Sequence, residues 1–435
     1  MLPTQAMRYR RVLVAAFVLS ACPRFALSQA EPALDPARSP AMESFVQVWT
    51  AVRDTHWQES PGGLDWDAIR AEFEPRIAAA EGLNDTRSIL SEMLGRLGQS
   101  HFGIIPATVY SELDAGRGGQ YTTGIDVRLL GEDVVVTEVT AGSPAETAGV
   151  RPGWVLLAIG DREVGAIVER VGEVARSRGL QIGIVLTSAL QQWLSGPPGG
   201  TVAASFLDGD DAPVALELPT APPRGTLSRF GNLPPIAVWY EDRRYEDTTY
   251  IRFNAFLDVP RIMPAFERSV RDCKPCDGIV IDLRGNGGGI AAMAMGMSGF
   301  FTAERGFQLG TMFMRGVELK FVVNPRPDPF EGPVAILIDS GSASTAEIFA
   351  GGLKDLGRAR VFGTRSAGAA LPSMIERLPN GDGFQHAIGN YVSANGQELE
   401  GDGVGPDEVV ELDREILLRG VDPVLAAALE WIRTQ

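Results

Sequence analysis

A serine lies at the head of a predicted helix, directly after a predicted buried strand. Residues 336–348 read ILIDSGSASTAEI, so an apolar strand passes through a small, serine-rich turn into a helix that begins near Thr345. A helix N-terminus offers unpaired backbone N–H groups, which stabilise a developing oxyanion. The hydroxyl of Ser344 is therefore well placed for nucleophilic chemistry, although serine and threonine also cap helices for purely structural reasons.

A glycine-rich run follows a second predicted buried strand. Residues 281–289 read IDLRGNGGG, and such a run lets the backbone approach a ligand or a reaction intermediate closely. Gly287, Gly289 and Ala292 also satisfy the loose phosphate-loop pattern G-x-G-x-x-A. The acidic residue expected about 20 positions later, at the end of a further strand, is not evident, so nucleotide binding is not favoured.

Together the two segments resemble the core motifs of the C-terminal processing peptidases, also called tail-specific proteases. The likeness rests on residues 282–289 (DLRGNGGG) and 342–347 (SASTAE), which occur in the order typical of that family. By position in the motif, the resemblance implies that Ser344 is the nucleophile and that the backbone amides of Gly288 and Thr345 form the oxyanion hole. It further implies a serine peptidase that acts on polypeptides by acyl transfer, with no metal and no cofactor.

One departure selects between two branches of this family. The serine–lysine branch carries its lysine in a T-x-G-K-like segment, whereas residues 364–369 read TRSAGA, with alanine at that place. The other branch is similar to the catalytic part of tricorn protease and uses a serine, a histidine, a second serine and a glutamate. The sequence is therefore identified as a member of this tricorn-like branch.

Two further segments supply the rest of that set. Residues 97–103 (LGQSHFG) look like the Ser-His segment of the branch, with Gln99 where an aspartate is common, and residues 397–407 (QELEGDGVGPD) look like its glutamate segment. The resemblance implies catalytic roles for three residues, namely His101, Ser100 and Glu400.

The expected roles follow from acid–base chemistry. A serine hydroxyl needs an adjacent base near neutral pH, and an imidazole that titrates near pH ~6.5 suits that work. We expect His101 to be this base, held in one tautomer by Ser100 and Glu400. His56 and His386 have no comparable motif and are expected to be structural, while Glu347 is expected to complement the charge of its helix N-terminus.

The elements that position these residues indicate an α/β multi-domain protein. Apolar residues at helical spacing predict three amphipathic helices near the start, the last of them ending at Gly98, and alternating strands and helices follow residue 221. The resemblance implies that this last part is an α/β core of the crotonase-like type. The predicted parts are a signal peptide (1–30), a linker (31–41), an N-terminal helical domain (42–117), a PDZ-like domain (118–220) and the protease core (221–435).

The PDZ-like assignment rests on residues 142–154. They read GSPAETAGVRPGW and resemble the short helix and following strand of that family nearly position by position. Such a domain adds an extended peptide to a sheet edge and captures its terminal carboxylate with backbone amides. The resemblance implies that Thr123, Gly124 and Ile125 form this peptide-binding loop; a long apolar insertion near 167–195 is left without an assigned place.

Charge and the N-terminal segment bound the location and the partners. The 435 residues carry a net charge of −16, which disfavours nucleic acid as a partner. Three arginines precede a short apolar run at 12–21, which is typical of a secretory signal and predicts an exported, periplasmic protein. Cleavage after Ala30 and lipidation of Cys22 in a lipobox-like LSAC segment both remain open, and the second would tether the protein to a membrane.

The other two cysteines and the competing functions complete the predictions. Cys273 and Cys276 form a C-x-x-C pair, which we interpret as a local disulfide or two idle thiols, since a metal site needs more ligands. The favoured function is a serine endopeptidase. A non-catalytic binding scaffold of the same fold and an esterase or amidase are the alternatives, and the sequence predicts no oligomeric state.

Overall fold

The computed structural model describes residues 39–114, 121–177, 182–273 and 276–435. The predicted signal peptide, both cleavage sites with Cys22, and most of the predicted linker lie outside the described residues. Within the described residues, every helix is too short or too polar to cross a bilayer.

Three amphipathic helices open the described chain and form the N-terminal module. Its elements are α1 (Pro40–Thr55), α2 (Trp66–Ala78), α3 (Leu83–Gly95), β1 (Gly103–Ile105) and α4 (Ala107–Asp114). The third helix ends before the predicted Gly98, because the N–H groups of residues 96–98 turn to carbonyls three residues back. The apolar faces pack together with Leu378 and Phe384, which come from much later in the chain. The short segment between α3 and β1, which holds Ser100 and His101, is therefore fixed between this helical core and the rest of the molecule.

The middle module is a small antiparallel sheet with two helices from the apolar insertion. Its elements are β2 (Tyr121–Thr122), β3 (Ile125–Leu130), β4 (Asp133–Val139), α5 (Pro144–Thr147), β5 (Val155–Ile159), β6 (Arg162–Glu163), α6 (Val164–Ser177), α7 (Ile182–Trp193), β7 (Ser195–Gly196), β8 (Thr201–Leu207) and β9 (Pro213–Pro219). The sheet order is β3-β4-β5-β8-β9. Helix α7 buries Leu186 and Leu190 and packs along β3, an edge strand. The insertion that the sequence analysis left unplaced thus forms two helices, of which α7 packs against β3, one of the two edge strands.

The predicted protease core follows as alternating strands and helices. Its elements are β10 (Thr226–Phe230), β11 (Leu233–Val238), β12 (Tyr240–Tyr245), β13 (Thr248–Phe253), α8 (Val259–Asp272), β14 (Gly278–Asp282), α9 (Ala291–Ser298), β15 (Gln308–Met314), β16 (Val317–Val322), β17 (Val334–Ile338), α10 (Thr345–Asp355), β18 (Arg360–Gly363), β19 (Ser373–Arg377), β20 (Gly383–Ala387), β21 (Gly389–Ser393), β22 (Glu408–Val409), α11 (Arg414–Leu418) and α12 (Pro423–Arg433). Its main sheet has the order β12-β13-β14-β17-β18-β22. A disulfide joins Cys273 to Cys276 between α8 and β14.

The two central strands of the main sheet are buried on both faces. Ile279, Ile281 and Ile336 face the core that α8, α9 and α10 cover, while Val280 and Leu337 face the core that α12 covers. Strands covered on both faces carry near-continuous apolar runs, which explains why the sequence predicts them so well.

The parallel pairing of β14 with β17 brings the two motif loops together. Asp282 pairs with Leu337, so both strands end at the same edge of the sheet. The glycine-rich loop after β14 and the serine-rich turn after β17 must therefore be neighbours, at the carboxyl edge where open α/β sheets bind ligands. Strand β1 pairs with β20 and so joins the His101 segment to the protease core.

We predict that Phe384→Ala destabilises the N-terminal module. Phe384 is fully buried among α1–α3, so truncation should lower the free energy of unfolding by about 3–5 kcal/mol, measured by urea denaturation. Met374→Ala on the neighbouring strand β19 is the control, because that side chain is 48% exposed. Equal denaturation midpoints for the two variants would show that the hairpin is not part of this core.

Candidate active site

The turn after β17 presents Ser344 in an unusual backbone conformation. Ser344 has φ 54° and ψ −119°, a region that residues other than glycine rarely adopt. Its N–H donates to Ala369 O at 2.9 Å and to Glu347 Oε2 at 2.9 Å. Ser344 is half-buried, whereas its chain neighbours in the turn are buried. The backbone of the turn is thus fixed by two hydrogen bonds, while the Ser344 side chain remains accessible.

The glycine-rich loop lies against the head of α10. A Cβ atom added to Gly288 would come within 2.7 Å of Ser344 Cβ and 2.8 Å of Thr345 N, so only glycine fits this contact. The Gly288 N–H donates to Asn286 Oδ1 at 2.9 Å, while the Thr345 N–H has no acceptor among the described residues. Of the two expected oxyanion donors, one is therefore free and the other would have to share its hydrogen with the Asn286 amide.

A hydrogen-bonded chain joins Glu400, Ser100 and His101. The Ser100 hydroxyl donates to Glu400 Oε2 at 2.8 Å and lies 2.7 Å from His101 Nδ1. Glu400 also accepts from the backbone N–H of Ser100 at 2.7 Å and of Ala370 at 3.1 Å. Because the single hydroxyl proton of Ser100 goes to Glu400, Nδ1 must carry the proton in its bond to Ser100. Nε2 of His101 is then the unprotonated nitrogen, as a general base requires.

The electrostatic setting keeps the His101 ring neutral. Burial lowers the pKa of His101 to about 4, so the ring is unprotonated at neutral pH. Burial also raises the pKa of Glu400, while the hydrogen bonds from Ser100 and Ala370 oppose that rise. Since both oxygens of Glu400 accept hydrogen bonds, the ionised carboxylate is the form that this geometry fits.

His101 and the turn of the predicted nucleophile (residues 339–344, called the nucleophile turn below) line one cavity. The cavity has a volume of about 380 Å³, and its wall includes His101, Gly287, Ala343 and Ala369. Among the described residues, no hydrogen bond joins the Ser344 hydroxyl to the His101 ring. The two are linked indirectly, since Ala369 O accepts from Ser344 and the next residue donates to Glu400. A hydrogen bond between a serine nucleophile and its base is often absent without substrate and forms in the substrate complex.

Glu347 has a larger role than sequence reasoning assigned to it. The side chain is fully buried, and besides the Ser344 N–H it accepts from Ser366 Oγ at 2.6 Å, Gly368 N at 2.8 Å and Ala369 N at 3.1 Å. It therefore fastens the nucleophile turn to the segment in which the other branch carries its lysine. The S-x-x-E spacing of a capping box was the available signal, but it does not reveal the contacts with residues 366–369.

The predicted peptide-binding loop is already hydrogen-bonded internally. The Thr123 N–H donates to Leu194 O at 3.2 Å and the Gly124 N–H to Thr122 Oγ1 at 3.1 Å. The side chain of Gln191, on α7, donates to Ile125 O at 3.0 Å. A peptide added to the edge of β3 would have to displace Gln191, a residue that sequence reasoning missed because it lies in the unplaced insertion.

We predict that Glu347 makes stability depend on pH. Burial raises the pKa of Glu347 to about 7, so its ionisation is disfavoured in the folded state relative to the unfolded chain. The contribution of Glu347 to the free energy of unfolding is fully present below pH ~4.5. As pH rises through about 7, roughly 3 kcal/mol of this contribution is lost. Urea denaturation of wild type and of Glu347→Gln at pH 5 and pH 8 measures this loss as a difference between the two proteins. A constant difference would contradict the prediction.

Two family models match different parts of the chain. Residues 247–410 match Peptidase family S41, and residues 41–95 match the Tricorn protease C1 domain. These ranges contain the nucleophile turn, the glycine-rich loop and Glu400 in the first case, and the helices before His101 in the second.

Similar proteins and structures cover most of the chain. A carboxyl-terminal-processing protease of Synechocystis sp. is 24% identical over 84% of this chain and 80% of its own length. The chloroplastic C-terminal processing peptidase of Tetradesmus obliquus is 25% identical over 90% of this chain and 82% of its own.

Solved structures show the same fold. The photosystem II D1 C-terminal processing protease has a TM-score of 0.58 at 21% identity, over 89% of this chain and 99% of that one. Mature CPAF has a TM-score of 0.60 at 13% identity, over 90% of this chain and 95% of that one. The motif loops meet at one sheet edge, residues 247–410 are similar to Peptidase family S41, and residues 41–95 are similar to the Tricorn protease C1 domain. Together with the processing proteases that match most of the chain, these similarities indicate a serine peptidase.

Proposed function

We propose that this protein is an exported serine endopeptidase that cleaves unstructured or C-terminal polypeptide segments. The observation that carries the proposal is the chain Glu400–Ser100–His101, which fixes the tautomer of the ring at a cavity shared with the nucleophile turn. The proposed roles are as follows: Ser344 as nucleophile, His101 as general base, Ser100 and Glu400 as positioning residues, and the N–H groups of Gly288 and Thr345 as oxyanion donors.

The reaction is an acyl transfer in two halves. The Ser344 oxygen attacks the scissile carbonyl carbon while its proton passes to Nε2 of His101, and the oxyanion accepts from the Thr345 N–H and the Gly288 N–H. The imidazolium then gives this proton to the leaving amine as the C–N bond breaks, which leaves an acyl-enzyme. Water, deprotonated by the same nitrogen, hydrolyses the ester and restores the Ser344 hydroxyl.

The hydrogen bonds from His101 to Ser100 and from Ser100 to Glu400 stabilise the charged form of the ring that occurs during the reaction. When His101 becomes an imidazolium, its Nδ1–H still donates to Ser100, which still donates to Glu400. The carboxylate thus stabilises the imidazolium through one hydroxyl and needs no second proton transfer.

The middle module supports a proposal for substrate capture. Residues 142–154 resemble a PDZ segment, and β3 is an edge strand beside a helix, the arrangement that β-strand addition requires. We assign peptide binding to Thr123, Gly124 and Ile125, with Gln191 displaced from Ile125 O by the incoming backbone. Residues 1–30 supply the proposed export signal, and a lipid on Cys22 is the proposed alternative anchor.

We predict that Ser344→Ala and His101→Ala each abolish hydrolysis of unfolded casein. Loss of the nucleophile or of the base costs about a million-fold in turnover. Ser88→Ala, on the exposed face of α3, is the matched control and should retain full activity. A fluorophosphonate should label wild type at Ser344, because labelling requires an activated hydroxyl. Full casein hydrolysis by Ser344→Ala would overturn the assignment, and absence of both labelling and hydrolysis in wild type would favour a binding scaffold.

We predict a strong effect of Glu400→Gln on kcat and a weak one on KM. The amide cannot accept from both Ser100 groups at once, so the ring loses its fixed tautomer and kcat should fall by about 10²–10⁴-fold. Steady-state kinetics on a quenched fluorescent peptide measures this. Glu398→Gln is the control, since that neighbouring side chain is exposed. Equal kcat values for the two variants would remove Glu400 from the mechanism.

A further inference from the structure

Gln99 lies between a buried histidine and the active-site cavity. It directly precedes Ser100, is half-buried, and forms part of the cavity wall beside His101. Its side-chain Oε1 is 3.0 Å from Nε2 of His56. His56 follows α1 and has no place in the proposed mechanism.

The protonation of His56 can be worked out from its backbone contact. The N–H of Gln58 approaches His56 Nδ1 at 3.1 Å. A backbone N–H can only donate, so Nδ1 is the unprotonated nitrogen and Nε2 carries the hydrogen. Nε2–H must then donate to Gln99, which identifies the Gln99 atom facing it as the oxygen and not the nitrogen.

The surroundings of His56 hold this arrangement in place. The ring is buried and stacks on Trp57 with a centroid distance of 3.9 Å, and Phe102 lies parallel to it at 6.0 Å. Arg315 donates to the backbone oxygen of His56 at 3.0 Å. Burial lowers the pKa of His56, which keeps the ring neutral and the assigned tautomer populated.

The amide group of Gln99 is planar, so fixing its oxygen also fixes its nitrogen. With Oε1 turned to His56, the NH₂ group is the end left for the cavity, and it has no acceptor among the described residues. The described residues that line this cavity include no Asp, Glu, Lys or Arg. A charged ligand group would lose its hydration here without gaining a counter-charge, whereas a neutral acceptor would lose little.

We propose that the Gln99 side chain donates from its NH₂ group to a backbone carbonyl oxygen of the bound polypeptide, beside the His101 ring, and that His56 is the residue that orients it. The inference rests on the proposed peptidase function. Gln99 is then a substrate-positioning residue that aligns the peptide backbone next to the base, and His56 acts through it.

A substrate series tests this pairing directly. A quenched peptide is built on a sequence that wild type cleaves in unfolded casein, and each member has one non-scissile carbonyl oxygen replaced by sulfur, a weak acceptor. In wild type, one position should lower kcat/KM by about 3- to 10-fold, the size of one neutral hydrogen bond. In Gln99→Met that position-specific loss should vanish, because the donor is already gone.

Two further variants separate positioning from packing. Gln99→Glu keeps an acceptor for His56 and lacks the NH₂ group, so it should lose the position-specific effect as Gln99→Met does. His56→Phe keeps a ring in the stack and frees the Gln99 amide to turn. In this variant the sulfur substitution at the sensitive position should lower kcat/KM by at most about 2- to 3-fold, which is half or less of the wild-type effect in free energy. Thermal melts identify any variant that does not fold, and the other Gln99 variant then decides the question.

The outcomes are distinct. Survival of the position-specific loss of kcat/KM in either folded Gln99 variant would overturn the inference. A variant that lowers kcat/KM equally for all peptides and keeps their relative values would also overturn it, because that is what a merely structural role of Gln99 predicts. Gln385→Met is the matched control on another part of the cavity wall, where the amide nitrogen already donates to Ser373 Oγ at 3.0 Å; removal of the effect there would also overturn it. If wild type cleaves no site in casein, the proposed function itself fails, and the absence of turnover shows this before any profile is compared.

Discussion

The parallel pairing of β14 with β17 is the constraint on which the site depends. Parallel neighbours end at the same edge of a sheet, so the register that sets Asp282 opposite Leu337 also sets the glycine-rich loop against the serine-rich turn. The contact is close enough that a single added carbon at Gly288 would collide with Ser344. The histidine segment, which precedes these loops in the chain, and Glu400, which follows them, lie around this pair of loops.

Two carboxylates, the fully buried Glu347 and the half-buried Glu400, then join segments that are far apart in the chain. Glu347 collects donors from the nucleophile turn and from residues 366–369, and Glu400 collects them from Ser100 and Ala370. Removing a carboxylate from water costs free energy unless both of its oxygens accept hydrogen bonds. The groups that donate to Glu347 and to Glu400 are therefore held in fixed positions relative to each other. The positive φ of Ser344 is tolerated because these bonds over-determine the turn.

The sequence indicates the parts of the structure that local chemistry controls. The apolar runs of β14 and β17 and the start of α10 lie where their patterns predict. Burial on both faces and helix capping both depend on residues that are adjacent in the sequence, so a short segment is enough to indicate them. The family resemblance, confirmed by the matches to S41 and to the tricorn C1 domain, is carried by short motifs of the same kind. The catalytic assignments themselves stay predictions.

What the sequence could not supply depends on distant contacts. The apolar insertion reads equally well as strands or helices, and only its packing along β3 shows that α6 and α7 form. His56 was expected to be structural because nothing near it in sequence suggests Gln99 as a partner. Glu347 was expected to act on its own helix, since its contacts with residues 366–369 arise only in the folded core.

The order of the chain has a consequence for when the protein can act. His101 is the proposed base, Ser344 the proposed nucleophile and Glu400 the carboxylate proposed to orient the base, so a chain still emerging from a ribosome lacks this carboxylate until 300 residues beyond Ser100 have been synthesised. Until then Ser100 has no carboxylate to accept its hydrogen bond, and the His101 imidazole has no fixed tautomer. Late synthesis of one side chain would thus keep the proposed active site incomplete while residues 101–399 are being made.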